Sequence, residues 1–219
     1  MVKWFLSVRR LASGLSGGGL TGWKKRKPGG GKTLYAVRLI VDELVRGSRP
    51  VITNVPLNLG RLNEFLQQKF SDAFASASAR FQDGSGVESG RECDAYVAEM
   101  AAHISNRVIL LDEDDLPKFF TYRGGGVRLD SVSNQDWKAG KRPDFRAVKD
   151  RGVFYVLDEV HIAFNARAWA DTGHEVLYYL SQHRKLGDDV ICVTQSVNNV
   201  DRQFRSVAQD YTYIHYCPV

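Results

Sequence analysis

The chain has 219 residues, 43% hydrophobic and 25% charged, which are the proportions of an ordinary globular domain. That excludes collagen, coiled coil and wholesale disorder, and the longest apolar runs, Val108–Leu111 and Phe154–Leu157, are too short to span a bilayer. Thirty Lys+Arg against 25 Asp+Glu give a net charge of +5, which permits an anionic partner without requiring one.

Cys93, Cys192 and Cys217 lie far apart with no CxxC or Cys/His cluster, which argues against a disulfide scaffold or structural zinc site and fits a reducing compartment. In chain order, Trp4-Phe5-Leu6 is apolar, but Arg9 and Arg10 interrupt it, so a secretory signal is a poor reading. Ser13–Gly22 is glycine-rich and reads as loop. A helix is predicted from Thr33, with Leu34, Val37, Val41 and Leu44 on one face, stopped by Gly47-Ser48-Arg49-Pro50. Val51–Val55 follows as a short strand. Leu62–Phe74 reads as helix, 75–90 as loop or insertion, Val108–Leu111 as strand and Leu116–Tyr122 as a short helix. Residues 135–152 are polar and basic and read as a long loop. Val153–Leu157 is a continuous apolar strand of the kind buried on both faces of a parallel sheet. A helix over Glu175–Lys185, a strand over Val190–Thr194, a short polar segment over Asp201–Arg205 and a strand over Tyr211–Tyr216 complete the chain. The alternation predicts an α/β fold, a mostly parallel sheet with helices on both faces.

The strongest local motif is Lys27-Pro28-Gly29-Gly30-Gly31-Lys32-Thr33, opening into the helix from Leu34. Glycines let backbone N–H groups turn inward around phosphate oxygens, and the helix N-terminus adds partial positive charge. The expected phosphate-binding residues are Pro28, Gly29, Gly30, Gly31, Lys32, Thr33 and Leu34. Lys32 would neutralise the β- and γ-phosphates of ATP, and the Thr33 hydroxyl would ligate Mg²⁺. The first glycine of the GxxxxGK[ST] pattern falls on Arg26, and no apolar strand immediately precedes the loop. Either an insertion after Gly22 distends the loop entry, or the N-terminal segment departs from the usual plan. A glycine-rich turn that merely caps a helix has the same local pattern.

Asp158-Glu159 ends the apolar strand with paired carboxylates: Asp158 would hold Mg²⁺, and Glu159 would act as general base on water. Asp112-Glu113-Asp114-Asp115 is a rival, but its strand is shorter. Gln195, at the end of Val190–Thr194, would place an amide beside the γ-phosphate.

KPGGGKTLYAV (27–37), RPVITNVPLNL (49–59), FYVLDEVHIAF (154–164) and SQHRKLGDDVICVTQSVNNVDRQFR (181–205) together resemble the zonular occludens toxin (Zot) family. These are assembly ATPases of filamentous phages, related to FtsK/HerA-type P-loop motors. The resemblance implies a P-loop NTPase-like domain over 27–219, with 1–26 as a basic, glycine-rich segment outside it. It implies ATP and Mg²⁺ as cofactors and a homo-oligomeric ring as the working form. It further implies action on phage single-stranded DNA or its nucleoprotein complex, with other phage assembly proteins. The expected location is the cytoplasmic face of the host inner membrane, reached through a segment absent from this otherwise soluble chain. Arg184, Arg202 and Arg205 are the candidates for an arginine reaching a neighbouring subunit's ATP, with Arg184 and Arg202 preferred. His161 matches the family's acidic-pair-then-histidine form. The alternatives are a nucleotide-binding scaffold with weak or no hydrolysis, and a small-molecule kinase. The absence of a lid with clustered arginines, and Glu159 beside Asp158, favour hydrolysis over transfer.

Overall fold

The computed structural model describes residues 2–7, 31–78, 89–123, 133–145, 152–167 and 173–214. Six strands form one sheet: β1 Val2–Ser7, β2 Val51–Thr53, β3 Val108–Leu110, β4 Phe154–Leu157, β5 Asp189–Thr194 and β6 Asp210–Ile214. Their order is β3-β2-β4-β5-β1-β6, and every pairing is parallel. This is the α/β sheet that the strand–helix alternation predicts.

Side chains of the central strands alternate between the two layers as their two-residue period requires. Val51, Phe154, Val156, Ile191 and Val193 face α1 Lys32–Arg46, α2 Leu59–Ser78 and α3 Ser89–Ser105. Ile52, Tyr155, Leu157, Val190 and Cys192 face the other way, onto α5 His174–Gln182, α6 Arg202–Ser206 and a 3₁₀ segment over Glu113–Thr121. Phe119 centres that second layer, meeting Phe120, Tyr155, Phe164 and Tyr179 edge-on at 5.1–6.3 Å. Both faces are covered, so the middle strands are buried nearly throughout, with polar residues only at their ends.

Several expectations need correction. The apolar patch Trp4-Phe5-Leu6 lies in a strand well ahead of the glycine loop: β1 pairs with β5 from Val2↔Val190 to Leu6↔Thr194 and with β6 from Lys3↔Asp210 to Ser7↔Ile214. Segment 1–26 thus contributes a strand to the same sheet, and residues 8–30 link it to α1. Helix α1 forms where expected, but its buried stripe is Ala36, Ile40 and Leu44, while Leu34 is 75% exposed. Spacing of four keeps the small Ala36 against the sheet, and Val37 and Val41 flank the stripe rather than lead it. Helix α2 runs on to Ser78 and α3 begins at Ser89, so the loop expected over 75–90 is helical at both ends. The loop expected over 135–152 contains α4 Asn134–Lys138, where the Ser133 side chain accepts the Asp136 N–H at 3.1 Å.

Candidate functional site

Parallel strands deliver their carboxyl ends to one edge of the sheet, where α/β proteins bind ligands. Here that edge collects Asn54 after β2, Asp158-Glu159 after β4 and Gln195 after β5. Because β5 lies between β4 and β1, Gln195 stands between the acidic pair and the strand that leads toward the glycine loop.

Helix α1 starts at this edge. Gly31 caps it in the left-handed conformation (φ 76°) without any side-chain cap, and a Cβ there would meet nothing within 4 Å. The first amides of α1 are therefore not claimed by a capping side chain, and that is how a helix start receives an anion. The Thr33 hydroxyl donates to Asp158 Oδ2 at 3.0 Å, across 125 positions of sequence. Lys32 is close enough for its charge to act on the same carboxyl. Lys27, Pro28, Gly29 and Gly30 lie outside the described residues.

Asp158 is 9% exposed. Burial pushes its carboxyl above the usual aspartate range, and the neighbouring Glu159 charge adds to this; the Thr33 hydroxyl, the Glu159 N–H and Lys32 oppose it. Perturbed carboxyls cluster at functional positions, although structural ion-pair networks perturb them too. Glu159 has φ 50°, the one positive value among the described non-glycine residues, a conformation that costs roughly 1–2 kcal/mol. Its Oε1 accepts from Gln195 Nε2 at 3.2 Å. Its Oε2 is buried without a hydrogen-bond partner, and His161 Nδ1 lies 3.2 Å away outside hydrogen-bond geometry. Thr194 Oγ1 approaches the same His161 nitrogen at 3.3 Å.

The structure thus brings together Gly31, Lys32, Thr33, Asp158, Glu159 and Gln195. The first-turn Leu34 contributes only its backbone, since its side chain points to solvent. Arg184, on the 3₁₀ turn His183–Leu186 before β5, lies toward the amino ends of the strands, and Arg202 opens α6; both are exposed. No described hydrogen bond or ion pair joins either to the acidic pair. The rival Asp112 follows the edge strand β3, separated from β4 by β2, and Glu113, Asp114 and Asp115 enter the 3₁₀ turn behind it.

Sequence reasoning missed Asn54. Its Oδ1 accepts the Asp158 N–H at 2.7 Å and its Nδ2 donates to the Asp158 carbonyl at 2.9 Å. The available signal was its place at a strand end inside RPVITNVPLNL.

A triphosphate with Mg²⁺ fits these residues. Thr33 and Asp158 are hard oxygen donors at hydrogen-bond separation, which suits Mg²⁺. No cluster of three or more His, Cys, Asp or Glu ligands occurs among the described residues.

The family model described as "Zonular occludens toxin (Zot)" matches residues 23–216. The chain belongs to the Zot family. It is therefore a phage-associated protein of the P-loop NTPase type, a class whose members use nucleotide and metal. No curated protein and no solved structure matches the chain. Among the described residues of this Zot-family protein, no helix is long and apolar enough to cross a membrane.

Proposed function

We propose that this protein is the ATP-hydrolysing motor of a filamentous-phage assembly system, exporting phage single-stranded DNA at the host inner membrane together with other assembly proteins. The observation that carries hydrolysis is the Thr33–Asp158 hydrogen bond, which joins the glycine loop's helix to the acidic strand end. The export role draws its support from family membership.

In this reading Gly29, Gly30, Gly31 and the first amides of α1 hold the phosphate chain, and Lys32 neutralises its outer charge. Thr33 and Asp158 would hold Mg²⁺, which supplies charge neutralisation at the β- and γ-phosphoryl oxygens. Glu159 takes a proton from the attacking water, while Gln195 holds one of its carboxylate oxygens at 3.2 Å. Arg184 or Arg202, both exposed, would reach ATP on a neighbouring copy in a ring.

The test is ATP turnover for wild type, Lys32→Ala and Glu159→Gln, at protein concentrations spanning assembly. Glu159→Gln is expected to bind ATP with kcat lowered about 10²–10⁴-fold, and Lys32→Ala to lose binding. Glu159→Gln turning over at the wild-type rate would remove Glu159 as the base.

A further inference from the structure

The β2–β4 ladder ends at the pair Thr53↔Val156. Two side chains carry the pairing further. The Thr53 hydroxyl donates to the Val156 carbonyl at 2.6 Å and accepts the Val55 N–H at 3.0 Å. Asn54 then binds both peptide groups of Asp158, its Oδ1 to the N–H at 2.7 Å and its Nδ2 to the carbonyl at 2.9 Å. A carboxamide is a chemical copy of the peptide group, so Asn54 supplies the donor and the acceptor that the next rung would have supplied. It does so where the strand must turn abruptly: Glu159 follows at φ 50° with its own N–H on Asp158 Oδ1 at 2.9 Å.

We propose that Asn54 is a positioning residue for hydrolysis, acting through Asp158 to hold Glu159 in its left-handed conformation. The proposal rests on the reading of Glu159 as the base. A left-handed glutamate persists only where its surroundings over-determine it. The Asn54 clamp fixes the peptide immediately before Glu159, and Gln195 holds the carboxylate beyond it. Without the clamp, the Asp158 peptide groups would turn to water and Glu159 would relax toward a right-handed or extended backbone. Its carboxylate would then leave the position beside Gln195, where a reacting water must be met within about 3 Å. The amides at the start of α1 and Lys32, which hold the phosphates in this reading, have no hydrogen bond to Asn54 among the described contacts, so most of the nucleotide affinity would remain.

The experiment compares steady-state ATP hydrolysis and ATP binding for wild type, Asn54→Ala, the isosteric Asn54→Asp, Thr53→Val and Glu159→Gln. Asn54→Asp keeps the acceptor for the Asp158 N–H and sets an oxygen against its carbonyl, so it tests the clamp if Asn54→Ala fails to fold. Both Asn54 variants are expected to lower kcat about 10–100-fold while KM for ATP stays within about threefold. Thr53→Val removes the neighbouring bond of the same strand end and is expected to lower stability with kcat nearly unchanged. The double variant Asn54→Ala/Glu159→Gln is expected to be no slower than Glu159→Gln alone, because both losses pass through one carboxylate. The proposal is overturned if Asn54→Ala keeps the wild-type kcat, if KM rises in step, if Thr53→Val loses as much, or if the two losses add. Equal turnover by wild type and Glu159→Gln overturns the base assignment itself, and the proposal with it. A slow Glu159→Gln beside an unimpaired Asn54→Ala overturns the proposal alone.

Discussion

Asp188 offers the sharpest test of what ties the central strands to the helical layer on one face of the sheet. It sits at the amino ends of the strands, just before β5, and its side chain is fully buried beside Arg123, which is 1% exposed. The two form a direct ion pair. Asp188 also accepts the Val153 N–H at 2.8 Å, just before β4, and the Tyr179 hydroxyl of α5 at 2.9 Å. One carboxylate therefore ties β4, β5 and α5 together. Asp188→Ala would leave the Arg123 guanidinium buried without this partner, and breaking such a pair costs about 3–5 kcal/mol. With an unfolding slope of about 2 kcal/mol per molar urea, the midpoint should fall by roughly 1.5–2.5 M. The apolar double variant Arg123→Met/Asp188→Leu should recover part of that loss, because no unpaired charge remains, while the Val153 N–H and Tyr179 hydroxyl still lose their acceptor. Urea unfolding followed by far-ultraviolet circular dichroism reads both. A fall below about 0.5 M for Asp188→Ala would refute the reasoning, as would a double variant no better than the single one.

His183 is 3% exposed, and burial lowers its pKa below the usual imidazole value although the Leu180 carbonyl, 2.6 Å from Nδ1, opposes this. The unfolded chain then takes up a proton that the native one refuses, so stability is present at neutral pH and falls as pH drops below about 6.5. The loss of urea midpoint between pH 7.5 and 5.5 should be smaller in His183→Gln; parallel profiles would contradict this. Gly152 (φ 86°) lies where a Cβ would strike the Gly187 carbonyl, while Gly140, with the same φ, faces open space. Gly140→Ala should cost about 1–2 kcal/mol for the backbone alone, and Gly152→Ala clearly more; equal losses in urea unfolding would count against the close approach.

The apolar run Val153–Leu157 was legible because it is short, β-rich and closed by glycine on one side and acids on the other, too short for a buried helix. The helix start at Lys32-Thr33 was legible because glycines followed by an amphipathic run mark a helix N-terminus. The N-terminal strand was not: Trp4-Phe5-Leu6 is too short to announce itself, and its partners β5 and β6 lie some two hundred positions away, roughly the full chain length. The stripe of α1 was read one step out of phase because Leu34 outweighs Ala36 in any hydrophobic pattern, although only the smaller residue is buried. Asn54 offered only its place at a strand end, since its role exists only once β2 lies beside β4.

The most direct test of the central claim is calorimetric binding of a slowly hydrolysed ATP analogue with and without Mg²⁺, for wild type, Thr33→Val and Asp158→Asn. The account predicts that Mg²⁺ tightens binding to wild type and that either substitution abolishes that gain while leaving metal-free binding largely intact. A Mg²⁺ gain preserved in both variants would mean that these two residues do not share one metal-bound phosphate.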